Sequence, residues 1–312
     1  MLDNLWGLWR QPSTRDAVSV VEEPEIHRYE AANDMIDYRD RISVVTWLIV
    51  FGLGLSILFS MPSLLQIEFV ILNSPLAFEI TDKIVASIFL ALLAALGTQS
   101  VIEVHPSFLG RPPARWHSMS FWALPAAVTI IATYLLPFAP NRPLQVVGLL
   151  FSGIFVALAL FCLYATVEVG QPGFRRSRLV LNSLAYGAAL LLFVFVYQTR
   201  TRSLVSATVI TITATLLAVE VLRSTTRQVD LIFTYGAIVG FVLGQVTWAL
   251  NYWPVPNLTG GLLLLLIFYL LVGVAQQGLQ ERITARVLIE FAVFTLLALL
   301  LIAFLGPGFG TQ

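Results

Sequence analysis

Apolar stretches of about 20 residues recur nine times along the sequence. A helix rises ~1.5 Å per residue, so roughly 20 residues cross the ~30 Å hydrocarbon core of a bilayer, where backbone polar groups have no water to bond. The stretches therefore predict an all-α fold, a polytopic transmembrane helix bundle of about nine spans. We place the spans at residues 42–60, 83–103, 118–138, 143–168, 178–199, 203–222, 229–251, 258–280 and 284–305.

Composition agrees with a membrane protein, because 58% of the 312 residues are hydrophobic and only 12% are charged. Ordinary soluble domains carry roughly 25% charged residues. The 18 basic and 18 acidic residues cancel, so the chain has no overall field to attract nucleic acid. We expect the lipid bilayer to be the main partner and expect no nucleic-acid partner.

Nine spans place the chain ends and loops alternately on the two sides of the membrane, and the basic residues are distributed unevenly between these two sides. Basic residues near span ends stay cytoplasmic, so this asymmetry predicts an N-terminus inside and a C-terminus outside, as in a multi-pass protein of the bacterial inner (cell) membrane. The outside segments hold Lys83, Arg142, Arg200 and Arg202. The inside segments hold the other fourteen: Arg10, Arg15, Arg28, Arg39, Arg41, Arg111, Arg115, Arg175, Arg176, Arg178, Arg223, Arg227, Arg282 and Arg286.

Two domains follow from the position of the first span: a cytoplasmic N-terminal arm at residues 1–41 and the bundle at residues 42–312. Apolar residues at helical spacing in the first eleven positions indicate an interfacial anchor. Residues 24–41 combine helix formers with opposite charges three and four apart, which favours a polar juxtamembrane helix. This arm is either a solvated helix or a docking site for protein partners.

The first outside loop, residues 61–82, predicts a short β-hairpin on the extracytoplasmic surface. Apolar and polar residues alternate over 76–81, and Asn73, Ser74 and Pro75 supply turn chemistry between two apolar runs. The alternative is a re-entrant segment, which would need shelter from lipid for its irregular backbone.

Carboxylates in or beside apolar spans are costly and are therefore the first candidates for function. Glu103, Glu168, Glu220 and Glu290 all fall at predicted cytoplasmic ends, with Glu290 the deepest. Their pattern predicts either a polar cavity that holds a phosphate or carboxylate, or ion pairs that fix helix ends at the membrane edge.

Arginines accompany these carboxylates at spacings that allow local pairing. Arg286 lies four residues before Glu290, and Arg223 lies three residues after Glu220, so each pair can meet on one helix face. Arg175, Arg176 and Arg178 follow Glu168 across a Gln-Pro-Gly turn. The candidate ligand-binding residues are thus Glu290, Arg286, Arg282, Glu220, Arg223, Glu168, Arg175 and Arg176.

Cofactor chemistry finds no support in the sequence. His27, His105 and His117 all lie outside the predicted spans, so no imidazole inside the membrane can ligate a haem or a metal. Lys83 is the only lysine and lies at a span end, which argues against retinal attachment. Walker, HExxH and GxSxG motifs are also absent from the sequence. We therefore expect no cofactor, no metal and no catalytic residue.

Two further patterns favour structural functions. Trp248, Tyr252 and Trp253 at the predicted outer end of span seven are typical of an aromatic belt, with an outward-facing pocket as the alternative. Glycines spaced four apart on the same span, at positions 236, 240 and 244, would let another helix approach closely.

Five segments carry a resemblance to a known family: NSPLAFEI, GTQSVIEVHP, WALNYWPVP, GGLLLLLIFYLLVGVAQQ and RITARVLIEF. Their combination resembles an uncharacterised bacterial family of multi-pass membrane proteins, a domain of unknown function. The resemblance covers most of the chain from about residue 45 onward. It implies a helical membrane fold and no mechanism.

Three functional hypotheses remain open. The first is a non-catalytic membrane component that scaffolds or docks onto partners, favoured by the missing catalytic motifs and the charged arm. The second is a small transporter with a cytoplasm-facing Arg/Glu site for an anionic solute or lipid headgroup, although no internal repeat is visible. The third is a lipid-modifying membrane enzyme, which would need a reactive group that the sequence does not reveal.

Overall fold

The computed structural model describes residues 38–59, 65–71, 74–108, 118–168, 170, 173–199, 203–226, 228–252, 256–281 and 284–305. Long helices dominate these ranges and occupy each of the predicted spans. They are α1 Tyr38–Leu58, α2 Asp82–Ile102, α3 Met119–Phe138, α4 Arg142–Tyr164, α5 Phe174–Thr199, α6 Ser203–Leu222, α7 Val229–Asn251, α8 Asn257–Leu279 and α9 Ala285–Leu305.

Eight of these helices, α1 to α8, are long and apolar enough to cross a membrane. The shorter stretch Ile289–Leu300 within α9 is also apolar. By length and composition, this is a multi-pass helical membrane protein with eight or nine spans.

Two helices include four residues that precede their predicted starts. α1 already includes Tyr38, the first described residue, where the sequence predicts a start at residue 42, and α5 begins at Phe174 rather than at residue 178. Arginine is a good helix former, so both helices extend through basic residues beyond the apolar stretch. Gly173, immediately before α5, has a φ of 100°, in the left-handed region that favours glycine. The predictions for residues 1–37 lie outside the described residues.

α3 and α6 form the centre of the bundle. In each of these two helices, 61% of the most apolar 18-residue stretch is buried inside the bundle, against 22% in α1. α3 starts and ends with 3-10 turns around a regular α-helix, Ala123–Leu135. Pro125 lies in the first turn of that regular part, directly after the 3-10 turn.

α6 and α7 pack closely against each other, and this packing depends on the glycines of α7. A Cβ atom added at Gly240 would lie 2.5 Å from the Thr211 carbonyl oxygen of α6. Gly236 faces Val219 and Gly244 faces Thr211, so the two helices run antiparallel. The predicted packing role of these glycines is confirmed.

Two antiparallel strands lie between α1 and α2, β1 Leu65–Ile71 and β2 Ser74–Ile80. Ser74 and Pro75, which the sequence assigns to the turn, belong to β2, where they pair with Ile71 and Val70. Proline is tolerated near the start of an edge strand because it lacks only the N–H donor. The side of the membrane on which this hairpin lies is part of the topology proposed below.

Contacts between helix ends define one end of the bundle, here called the polar end. It comprises the starts of α1, α3 and α5 and the ends of α2, α4 and α6. Arg41 Nη1 of α1 donates to the Ser100 carbonyl oxygen of α2 (3.2 Å). The Tyr38 ring stacks on Tyr164 of α4, with ring centroids 4.1 Å apart.

Contacts between helix ends also occur at the opposite end of the bundle. Lys83 Nζ at the start of α2 lies 5.1 Å from the ring centroid of Phe138 at the end of α3. The Tyr197 hydroxyl of α5 donates to the Leu250 carbonyl oxygen of α7 (2.9 Å). The helices therefore alternate in direction, as successive crossings require.

Candidate functional site

A buried arginine of α5 anchors the most unusual polar group of the bundle. Arg178 is in helical phase with Leu181, Ala185, Ala189 and Leu192, all of which are buried. The residue is only 8% exposed. The apolar stripe of α5 thus carries a guanidinium group into the interior at the polar end.

Glu220 of α6 receives this guanidinium group. Its side chain is fully buried, and its Oε1 lies 3.0 Å from Arg178 Nη1. Arg178 Nη2 also donates to the Glu220 carbonyl oxygen, at 3.3 Å. The same Oε1 accepts from Arg223 Nη2 at 2.9 Å, one helical turn further along α6. Two guanidinium groups therefore share one carboxylate oxygen, and we call these three residues the Arg–Glu–Arg cluster.

Two neighbouring helices fix the position of Arg223. Its Nη2 donates to Thr166 Oγ1 after α4 (3.3 Å). Its guanidinium carbon lies 4.0 Å from the ring centroid of Phe121 in α3, within the range of a cation–π interaction. Because α3, α4, α5 and α6 all contribute, the cluster depends on the tertiary fold.

Several polar atoms at the cluster are buried and have no hydrogen-bond partner among the described residues. They are Arg178 Nε, Arg223 Nε and Glu220 Oε2, together with Asn182 Oδ1 one turn along α5. Buried donors and acceptors are nearly always bonded, and an unmet one costs about 1–3 kcal/mol. The cluster thus has hydrogen-bonding capacity that its own members do not use.

The charges of the cluster do not balance. Two guanidinium groups face one carboxylate, which leaves an excess of one positive charge. Two further carboxylates of the polar end, Glu103 and Glu168, are exposed and bond Gln99 and Ser107, respectively. A buried excess charge is unfavourable unless a counter-charge reaches it, so the arrangement is suited to an anion.

The structure brings together only part of the predicted ligand-binding set. Glu220 and Arg223 lie in the cluster, and their predicted local pairing is confirmed. Arg175 and Arg176 are exposed at the start of α5, while Arg178 alone of that basic run turns inward. Glu168 lies at the polar end and accepts a hydrogen bond from Ser107 Oγ (3.1 Å).

The last helix holds the remaining predicted residues. Arg286 Nε and Glu290 Oε1 lie 3.7 Å apart on α9, so the predicted pairing occurs. Both side chains are largely exposed, at 91% and 69%. This pair is therefore separate from the buried cluster, although the sequence placed Glu290 deepest of the four candidate carboxylates. Arg282 lies outside the described residues.

A second polar network at the same end was not predicted. His105, placed by the sequence in a loop, is buried with its ring centroid 4.8 Å from that of Tyr164. Its Nδ1 lies 2.7 Å from Ser107 Oγ. In the sequence, the prolines and glycine around His105 indicate a compact turn, but they do not show that the histidine is buried.

Comparison with known protein families gives a match over most of the chain. Residues 62–305 match a family described as "Protein of unknown function (DUF5656)". No curated protein and no solved structure matches the chain. The match covers β1 through α9, and so it includes all three residues of the Arg–Glu–Arg cluster.

Proposed function

The chain belongs to the family Protein of unknown function (DUF5656), and from the geometry of its polar end we propose that it is a membrane protein that binds a phosphate- or carboxylate-bearing ligand. The ligand site is the Arg–Glu–Arg cluster. This proposal develops the second sequence hypothesis, a cytoplasm-facing Arg/Glu site for an anionic solute or lipid headgroup.

One observation carries the proposal. Arg178 and Arg223 both bond Glu220 Oε1, and the Nε atoms of both are buried without a partner among the described residues. A guanidinium group presents several N–H donors in one plane, which matches the oxygen spacing of phosphate and carboxylate. An oxyanion at the two Nε atoms would satisfy both donors and neutralise the excess charge.

The other two hypotheses stay predictions. The scaffold hypothesis rests on the N-terminal arm, which lies outside the described residues. The lipid-modifying enzyme needs a reactive group, and Glu220 is already engaged as an acceptor for two guanidinium groups. The cluster therefore supports binding more directly than catalysis.

We place the polar end on the cytoplasmic side of the inner membrane, with the hairpin outside. Support for this orientation comes from the arginine distribution, because Arg39, Arg41, Arg175, Arg176 and Arg223 all belong to the polar end. In this topology the ligand reaches the cluster from the cytoplasm or from the inner leaflet.

The proposal is tested with inorganic phosphate as the probe. The full chain is purified in mild detergent, and its thermal unfolding is followed against phosphate concentration at constant ionic strength, with chloride as the balancing anion. A ligand that binds only the folded state stabilises it by RT ln(1 + [L]/Kd), about 1.4 kcal/mol at ten times Kd. We expect a saturable increase in the unfolding temperature of the native protein.

Matched variants separate the cluster from general surface charge. Arg223→Gln should lose the phosphate-dependent shift, and Arg223→Lys should weaken it, because lysine keeps the charge but lacks the planar donor fork. The exposed Arg175→Gln removes the same charge nearby and should behave as the native protein. Equal phosphate shifts in Arg223→Gln and the native protein, or no saturable shift in the native protein, would overturn the proposal.

A further inference from the structure

An apolar groove of about 520 Å³ runs along the bundle between α2, α3 and α6. Its wall on α3 extends from Met119 to Tyr134. At ~1.5 Å per residue this length is about 22 Å, longer than half of the ~30 Å hydrocarbon core of a bilayer. The groove is therefore long enough to hold an extended hydrocarbon chain.

The groove opens sideways rather than into water. Ile88 and Leu92 of α2 and Ile212 of α6 line it and are 57%, 58% and 50% exposed. Large apolar side chains with this exposure in the middle of membrane-spanning helices face lipid. Among its polar wall residues, Ser87 donates its hydroxyl to the Ile84 carbonyl oxygen, and Trp122 Nε1 donates to Gln99 Oε1.

One end of the groove adjoins the Arg–Glu–Arg cluster. Trp122 lines the groove, and the preceding residue, Phe121, carries the Arg223 guanidinium group over its ring. Leu216 lines the groove on α6 and lies four residues before Glu220, a distance of about 6 Å along the helix axis. The polar-end part of the groove and the Arg–Glu–Arg cluster thus lie about one helical turn apart along α6.

We infer that the ligand of the cluster is an anionic phospholipid, with one acyl chain in the groove and its phosphate at Arg178 and Arg223. This inference rests on the proposed function and specifies its ligand. The apolar wall would contact the acyl chain, and the guanidinium groups would donate hydrogen bonds to the phosphate. A second groove, of about 310 Å³, lies between α3, α4 and α5 and is not near such a cluster in the described part of the chain.

The experiment compares two phospholipids with identical acyl chains, one with an anionic headgroup and one with a zwitterionic headgroup. The full chain is reconstituted with equal amounts of phosphatidylglycerol and phosphatidylcholine of identical acyl chains, and native mass spectrometry counts the lipids that remain bound after detergent extraction. We expect phosphatidylglycerol to be retained about tenfold better, corresponding to ~1.4 kcal/mol. Arg223→Gln should abolish this preference.

Variants that fill the groove test the position of the chain. Ala91 and Ala95 of α2 line it, so Ala91→Phe and, independently, Ala95→Phe should lower phosphatidylglycerol retention while leaving the phosphate shift in unfolding temperature intact. Ala292→Phe makes the same change on the exposed face of α9 and should have no effect.

The outcomes distinguish the two proposals. If phosphate binding depends on Arg223 but phosphatidylglycerol retention equals that of phosphatidylcholine, or is unchanged in both groove variants, the lipid inference is overturned and the anion site stands. If neither phosphate nor phosphatidylglycerol binding depends on Arg223, both proposals fail.

Discussion

Glu220 is the residue on which the charge arrangement of the polar end depends. It is fully buried, and its Oε1 accepts from guanidinium groups of two different helices. Removing one partner of a buried ion pair leaves the other charge uncompensated, which costs about 3–5 kcal/mol. A neutral residue at this position would leave two buried guanidinium groups facing each other.

We predict that Glu220→Gln destabilises the fold by about 3–5 kcal/mol, measured as the free energy of unfolding in detergent with denaturant. Glu290→Gln is the matched control, because Glu290 makes an exposed pair whose atoms are 3.7 Å apart. Exposed pairs contribute roughly 0–1 kcal/mol. Equal losses in the two variants would contradict the assignment of Glu220 as the central residue.

Sequence spacing predicted the local pairs but not the cluster. Three- and four-residue spacings gave Glu220 with Arg223 and Arg286 with Glu290, because helix geometry alone decides those contacts. Arg178 and Glu220 are 42 residues apart in the sequence, and they meet only because α5 packs against α6. Its helical phase with buried residues was visible in the sequence, but an arginine at a span end is equally compatible with an exposed position.

At the scale of helices, the α6–α7 interface shows why glycine is needed. The Cβ atom of an alanine at position 240 would lie 2.5 Å from the Thr211 carbonyl oxygen and 2.9 Å from the Thr215 amide nitrogen. Both atoms belong to the backbone of α6, so no side-chain rotation can relieve the contact. The two helices would have to separate.

We predict that Gly240→Ala destabilises the protein by about 1–3 kcal/mol, the usual cost of overpacking. Gly187→Ala on α5 is the control, since a Cβ atom there would meet nothing within 4 Å. That substitution should be neutral or stabilising by up to ~1 kcal/mol, because alanine favours a helix over glycine. Thermal unfolding of both variants in the same detergent measures the difference, and an unaffected Gly240→Ala would contradict the close approach.

Helix positions followed well from the sequence, and helix ends did so less well. Apolar length located each span because the bilayer sets a minimum number of residues. The predicted start of α5 is four residues too late. The first turn of this helix, from Phe174 onward, is mostly polar, and hydropathy does not detect polar helical residues. The assignment of Ser74 and Pro75 to a turn failed for a similar reason, because residue type indicates a turn without fixing strand register.

At the scale of the whole molecule, the alternation of helix directions places Arg142 and Arg175 at opposite ends. Both are exposed. Cys162 is the only cysteine and is buried, so replacing it with alanine gives a background for single-cysteine labelling.

We predict that, in the Cys162→Ala background, Arg142→Cys reacts with a membrane-impermeant maleimide added to intact cells. Arg175→Cys should react only after the membrane is permeabilised. This result would place the polar end in the cytoplasm, as the basic residues indicate. The reversed labelling pattern would contradict the proposed orientation, and labelling of both from outside would contradict the crossing number.

The groove could not have been predicted from single helices. Its walls come mainly from α2, α3 and α6, with Phe233 of α7, and the sequence of each apolar helix does not show which of its faces lacks a packing partner. The sideways opening has a consequence for any occupant. A molecule that enters through the bilayer encounters the protein in two dimensions, so its occupancy follows its mole fraction in the surrounding leaflet and is insensitive to its dilution in water.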